Sequence, residues 1–275
     1  MFVNACGGPA NAVCGFVRML QKWLNDFRPT HVAIIFDSGR SPWRVAIWPQ
    51  YKTGRPPRPA EMEAQVPDIR SIVSAMGLVI VERANEEADD VIAMLARNSS
   101  RAGAKVYIAS NDKDFTQIVT ANVHIIHSGR KGTKIVDQEA VVERYGVSPT
   151  QMVDFLSLVG DDTDDIPGVP GVGEKTAADL LSRFGSLDGL LQDLDQISSV
   201  KVRSSLFTWS QQIQINQRLI RLESSDAGLP RHVDLIRGQS DTMKLEDLFR
   251  KYGLGEKKPN QSPNAQSNLD LFPSD

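Results

Sequence analysis

Four carboxylates, Asp161, Asp162, Asp164 and Asp165, fall within five residues of this chain. Crowded carboxylates repel one another unless cations sit between them, and an all-oxygen donor set suits hard divalent ions such as Mg²⁺ or Mn²⁺. The spacing does not match a 12-residue EF-hand loop closed by Glu. Gly168-Val169-Pro170-Gly171-Val172-Gly173 follows at once and runs into Glu174-Lys175-Thr176-Ala177, a helix start. Backbone N–H groups exposed at such a start receive a phosphate without needing a side chain. Cations beside a phosphate would serve phosphodiester chemistry. Taken alone, the stretch also reads as an acidic loop that ends a helix.

Acids recur at other junctions. His31 to Phe36 is a short apolar run, the pattern of a strand buried on both faces, and it delivers Asp37 at its C-terminal end. Leu78 to Val81 is a second strand, and Glu86-Glu87-Ala88-Asp89-Asp90 then opens a helix reaching Arg101. Lys105 to Ala109 is a third strand, delivering Asp112 and Asp114. Each acid has a plainer use as a helix cap or macrodipole partner. Parallel α/β connectivity, however, would bring these junctions to one edge of one sheet, where ligands bind. The Asp161 loop would join them after a helix over Pro149 to Val159.

Other elements follow from periodicity. Val13, Phe16, Val17, Leu20, Trp23, Leu24 and Phe27 mark a helix over 11–27. Glu61 to Ala75 reads as a helix, Asn122 to His127 and Thr133 to Val136 as short strands, and Asp137 caps a helix to Tyr145. Glu174 to Phe184, Leu187 to Leu194, Val200 to Leu222 (one long helix or a pair) and Leu245 to Tyr252 complete an all-helical C-terminal region. Ser38 to Ala60 holds no acid but has Arg40, Arg44, Lys52, Arg55 and Arg58 interleaved with Trp43, Trp48 and Tyr51. With five prolines it makes a poor core element, and basic residues beside stacking aromatics suit single-stranded nucleic acid.

The net charge of −3 excludes a generally basic coat but not a local DNA-binding face. Cys6 and Cys14 are the only cysteines, so there is no disulfide framework, and a reducing cytoplasm is the expected compartment. No apolar run is long enough to cross a bilayer.

Together these motifs resemble the 5′-nuclease family: the 5′→3′ exonuclease domain of bacterial DNA polymerase I, its stand-alone bacterial and phage relatives, and the flap endonucleases. The resemblance rests on Phe36-Asp37, Tyr51-Lys52-x-x-Arg55, Glu87-Ala-Asp-Asp90, Asp112-Lys-Asp114 and Gly160-Asp-x-x-Asp164 running into the glycine-rich turn, and it covers about Asn4 to Arg250. It implies an α/β, PIN-like, mostly parallel sheet flanked by helices (1–160) and a helix–hairpin–helix-like, H3TH DNA-binding region (161–254). It implies 5′→3′ exonuclease or 5′-flap endonuclease activity on DNA with two Mg²⁺ or Mn²⁺ ions. Asp37, Glu87, Asp89 and Asp90 would hold one ion; Asp112, Asp114, Asp161 and Asp164 the other. Lys52 and Arg55 would act on the scissile phosphate. Arg44, Tyr51, Gly168, Gly171, Gly173, Lys175 and Thr176 would contact DNA, with K⁺ assisting at the turn. A bacterial, nucleoid-associated monomer is the expected form.

Two features qualify this expectation. The family pattern opens with a strand ending in Asp-Gly, upstream of the position of Met1. Either the true start lies upstream, or the chain is a shorter form with a weakened first metal site, a DNA-binding protein of reduced or lost activity. Upstream codons decide between them. An RNA nuclease of the wider PIN group fits less well, because of the DNA-gripping turn. The polar segment from Gly255 ends in Gln266-Ser-Asn-Leu269-Asp-Leu271-Phe272, which is similar to bacterial sliding-clamp-binding peptides. With no polymerase region following, a stand-alone nuclease is expected.

Overall fold

The computed structural model describes residues 7–129 and 132–254. In chain order the elements are α1 (Asn11–Phe27), β1 (Ala33–Phe36), α2 (Pro42–Ile47), α3 (Ala60–Glu63), α4 (Val66–Ala75), β2 (Val79–Glu82), α5 (Ala88–Arg101) and β3 (Val106–Ala109). After a 3₁₀ turn over Lys113–Ile118 come β4 (Val123–Gly129), β5 (Gly132–Val136), α6 (Gln138–Tyr145) and α7 (Met152–Val159). The C-terminal helices are α8 (Glu174–Phe184), α9 (Leu187–Gln192), α10 (Val200–Thr208), α11 (Ser210–Ile220) and α12 (Thr242–Tyr252).

The strands form two sheets, not the single sheet expected. β1 pairs parallel with β2, while β3 pairs parallel with β4 and β5 joins antiparallel. α5 packs against β1, β3 and β4, so one helix underlies both sheets. The faces of β1 are covered as its apolar run requires. Ala33 and Ile35 meet Val81, Val91 and Leu95, while Val32, Ile34 and Phe36 meet the cluster built by α1, α4 and α12. Its residues are nonetheless only half-buried, because among the described residues β1 pairs with β2 alone.

The helix expected over 61–75 is broken in two. Pro67 lacks an N–H and disfavours helical backbone before it, so it sits in the first turn of α4 instead. Gln65, in the break, has a use: its buried Oε1 accepts from the N–H groups of Ala12 and Val13 at 3.0 and 3.2 Å. Ala10 offers no side-chain cap, so a neighbouring segment closes the start of α1. Ser38 to Ala60 is less solvated than its composition suggests: α2 lies within it, and Ser41, Arg44 and Tyr51 are all buried.

The largest apolar cluster runs without interruption from β3 and β4 through α7 to α8, α9 and α11. α7 packs on both α8 and α11. After α11 the chain returns to the N-terminal half. Ile236 bridges His31, and α12 docks on α4, where Lys251 Nζ pairs with Asp68 at 2.7 Å and Tyr252 also donates to that carboxylate. No described helix is long and apolar enough to cross a membrane.

Candidate metal and nucleic-acid site

The loop after α7 is set by two glycines that no other residue could replace. Gly160 has φ +83°, and a Cβ there would lie 2.3 Å from the Gly168 nitrogen. A Cβ on Gly168 would lie 1.9 Å from the Val159 carbonyl oxygen. The two ends of the loop can therefore meet backbone to backbone, and Val169 N–H donates to Leu158 O at 2.8 Å. Fully buried Asn216 of α11 adds bonds to Ser157 O and Pro167 O at 3.0 and 2.7 Å. Between these ends Asp161 and Ile166 exchange backbone hydrogen bonds at 2.8 and 2.9 Å. The resulting tight turn presents Asp161 and Asp164, both buried.

Carboxylate oxygens of Asp114, Asp161 and Asp164 lie within 4.8 Å of one another. Asp112 accepts from the Asp114 N–H at 2.9 Å, which caps the 3₁₀ turn and orients Asp114. Asp114 Oδ1 is buried with no hydrogen-bond partner. Burial first, and then the charges of Asp112, Asp161 and Asp164, push its carboxyl up to about 8. Asp89 is pushed up to about 7, by burial and then by Asp112. Asp164 is also raised, burial outweighing its cationic neighbours. These carboxylates thus share one electrostatic environment. An orphaned buried oxygen among clustered oxygen donors fits hard divalent cations.

Cations of the chain face the same cluster. Lys52, with φ +55°, donates its N–H to Asp164 O, and its Nζ pairs with Glu87 and lies 3.6 Å from Asp164 Oδ2. Arg55 pairs with Asp164, and Lys113 Nζ lies 3.0 Å from Asp161. Asp165, one of the first four acids, plays a different part. Its αL backbone closes the turn, its Oδ2 accepts from Gly54 N–H at 2.7 Å, and its carbonyl accepts from Trp48 Nε1 at 2.8 Å. It fastens the Lys52–Arg55 segment over the carboxylates. Asp162 is exposed.

Several expected site residues are placed elsewhere. Asp90 is buried against Arg44 in a bidentate pair, and its Oδ1 also accepts from Glu223 N–H at 2.9 Å. Its oxygens are thereby occupied. Arg44, expected to face DNA, is 1% exposed and also donates to Leu219 O and Arg221 O. Its pairing with Asp90, together with those carbonyl bonds, makes that burial tolerable. Tyr51, expected to stack on a base, is 2% exposed and donates its O–H to Glu87 at 3.0 Å. Glu87 is held below its usual range: burial works to raise it, but Lys52, the Ser41 N–H and Arg44 outweigh that. Asp37 is exposed at the start of α5, accepting from Ala88 N–H at 3.3 Å, with Arg58 3.3 Å away and outside the three-carboxylate group.

At the glycine-rich turn, Gly168 is half-buried and serves the turn's own closure. Gly171, Gly173 and Lys175 are exposed, and Thr176 is half-buried. Gly173 caps α8 without a side-chain bond, so the first N–H groups of α8 face outward. Lys201 was not anticipated: its Cε stands 3.9 Å from where a Gly171 Cβ would be. A lysine in the first turn of α10 opposes that helix's dipole, and this was the available signal. Gln266, Leu269, Leu271 and Phe272 lie outside the described residues.

Known proteins resemble this chain over most of its length. The family model of the 5′-3′ exonuclease N-terminal resolvase-like domain matches residues 1–146, and that of the 5′-3′ exonuclease C-terminal SAM fold matches 147–242. DNA polymerase I of Bacillus subtilis (strain 168) is 39% identical over 218 residues, which is 78% of this chain and 25% of that protein. The 5′-3′ exonuclease of Aquifex aeolicus (strain VF5) is 35% identical over 216 residues, covering 78% of this chain and 73% of that protein. Among solved structures, the bacteriophage T5 flap endonuclease in a pseudo-enzyme-product complex with DNA and metal ions superposes with TM-score 0.67 at 19% identity, covering 89% of this chain and 92% of that one. At that identity the likeness speaks to the fold. The chain thus spans about a quarter of the length of its DNA polymerase I relatives.

Proposed function

The chain belongs to the 5′-3′ exonuclease family, and from that premise we propose that it hydrolyses DNA phosphodiesters at 5′ ends and 5′ flaps during replication and repair. The observation that carries the reading is the cluster of Asp114, Asp161 and Asp164, with its unpartnered buried oxygen, facing Lys52 and Arg55.

Asp112, Asp114, Asp161 and Asp164 would hold one divalent cation, Mg²⁺ or Mn²⁺. Asp89, with Glu87 and Asp37, would hold a second. Such a pair supplies an activated water and stabilises the leaving oxygen of an in-line displacement. Lys52 and Arg55, which neutralise the carboxylates here, would turn to the scissile phosphate and stabilise its developing charge. Asp90 acts at one remove, through Arg44. Residues 1–160 would cut and 161–254 would hold the duplex, through Gly171, Gly173, Lys175, Thr176 and Lys201, with K⁺ at the turn. A cytoplasmic, nucleoid-associated monomer is the form proposed. The segment Gln266 to Phe272 would dock on the bacterial sliding clamp, and deleting 269–275 should then abolish clamp pull-down.

The test is cleavage of an end-labelled 5′-flap duplex with Mg²⁺ or Mn²⁺. Turnover by the unsubstituted chain, lost in Asp114→Asn and Asp161→Asn, is expected. Lys52→Ala should lower kcat by about 10²- to 10³-fold. Duplex binding without any cleavage by the unsubstituted chain would favour a DNA-binding protein of this fold instead.

A further inference from the structure

Trp43 is the one aromatic of the basic 38–60 segment with an exposed ring, at 39%. One face of it is occupied: the Arg44 guanidinium lies 4.7 Å from the ring centroid. The ring also lines a cavity of about 400 Å³ together with Gln217, Arg218, Arg221 and Glu223. That volume is within the range of small-ligand sites.

The polar groups around the ring are arranged for an anion with a flat head. Arg218 is exposed on α11 and makes no ion pair among the described residues. Arg221 has only Glu223, 3.8 Å away and itself exposed. Two arginines therefore meet one glutamate beside an aromatic face. Gln217 donates Nε2 to Asp154 at 2.7 Å, which leaves its amide oxygen to accept. Gln217, Arg221 and Glu223 are shared with a wider cavity of about 720 Å³. There Arg97, Arg101 and Arg221 face Asp154, Asp188, Glu223 and Asp226, so the balance reverses. A phosphate would favour the Trp43 end and avoid the wide end.

We propose that Trp43, Arg218 and Arg221 form a single-strand subsite, in which one nucleotide of a DNA 5′ single strand stacks its base on Trp43 and places a phosphate on the arginines. This rests on the reading of the chain as a nuclease of 5′ flaps. A stacked base with an arginine is a sequence-tolerant grip, suited to a flap of any sequence. The subsite is wired to the cutting site through a short path. Arg44, under the ring, holds Asp90, whose chain neighbour Asp89 belongs to the carboxylate cluster. The grip on the strand would thus be linked to the carboxylates through these side chains, without touching them.

The test is fluorescence anisotropy with the full chain in Ca²⁺, using a labelled duplex with a single-stranded 5′ flap and the same duplex with a blunt 5′ end. Trp43→Ala should weaken flap binding by between about 5-fold and about 150-fold. Blunt-duplex affinity should be unchanged, and Trp43→Phe should keep most of the flap affinity. Arg218→Ala should weaken the flap alone and lower the salt dependence of its binding. Equal loss on both duplexes, or loss on neither, overturns the subsite. An unsubstituted chain that binds flapped and blunt duplex equally also overturns it, while cleavage of blunt 5′ ends would still uphold the proposed activity.

Discussion

Asp114 carries the most testable charge in the molecule. Burial and the neighbouring carboxylates push its folded carboxyl up to about 8, from an ordinary 3.8. In that window the native state holds a proton that the unfolded chain has released. Stability therefore falls as pH rises through the window, and the loss is complete above about 8. Asp89, raised to about 7, acts with the same sign. Glu87, held low, acts with the opposite sign but only at acid pH. In a chelating buffer the melting temperature should thus decline from mildly acid to mildly alkaline pH. Asp114→Asn should flatten the decline. Added Mg²⁺ should raise the melting temperature most at the alkaline end, since a cation held there would compete with protons for the same oxygens. A melting temperature that climbs with pH under chelation would contradict the shared, buried cluster.

At the scale of elements, the join between α7 and the loop before α8 decides the geometry. Its two glycines let backbone meet backbone, and the loop between them carries Asp161 and Asp164 into place. Gly168→Ala would drive a Cβ to 1.9 Å from a carbonyl oxygen that no side-chain adjustment can move. The expected cost is about 3 kcal/mol or more, read from urea unfolding. Gly173 differs only a few residues on: it has nothing within 4 Å of a built Cβ and no positive φ. Gly173→Ala should lie within about 0.5 kcal/mol of the parent chain, as do most surface substitutions. Equal effects at the two positions would mean that the close approach is not what holds the loop.

Across the whole molecule, the Arg44–Asp90 pair ties three parts together. Arg44 lies on α2, Asp90 on α5, and the backbone groups they engage, Leu219 O, Arg221 O and Glu223 N–H, lie at and beyond the end of α11. The segment bearing Lys52, the helix bearing Asp89 and the C-terminal helical region share this one anchor. Arg44→Met leaves Asp90 charged and buried without its partner, at a cost of about 3–5 kcal/mol in unfolding measurements. The paired change Arg44→Met with Asp90→Leu should recover much of that stability, because two apolar side chains need no pairing. If the single change costs as little as the double, the anchor is not a pair.

The residue order by itself marked most of the helices and strands and the acids that the fold gathers. Helical spacing marked α1, apolar runs marked the strands, and acids at strand ends marked the carboxylates, since local periodicity and composition are written along the chain. What lay beyond it was decided by contacts between residues far apart in sequence. Nothing local distinguishes Arg44 and Tyr51, which are buried, from Trp43, which is exposed, because burial depends on Asp90, Glu87 and α11 arriving from elsewhere. Asp90 looks like Asp89 in the motif, yet one carboxylate is bound by an arginine and the other faces the acidic cluster. The division of the strands into two sheets is likewise invisible in their apolar runs, since pairing is a property of neighbours. The order of residues set which groups could bind a cation, and the tertiary structure chose which of them are free to do so, because only folding determines which charges meet.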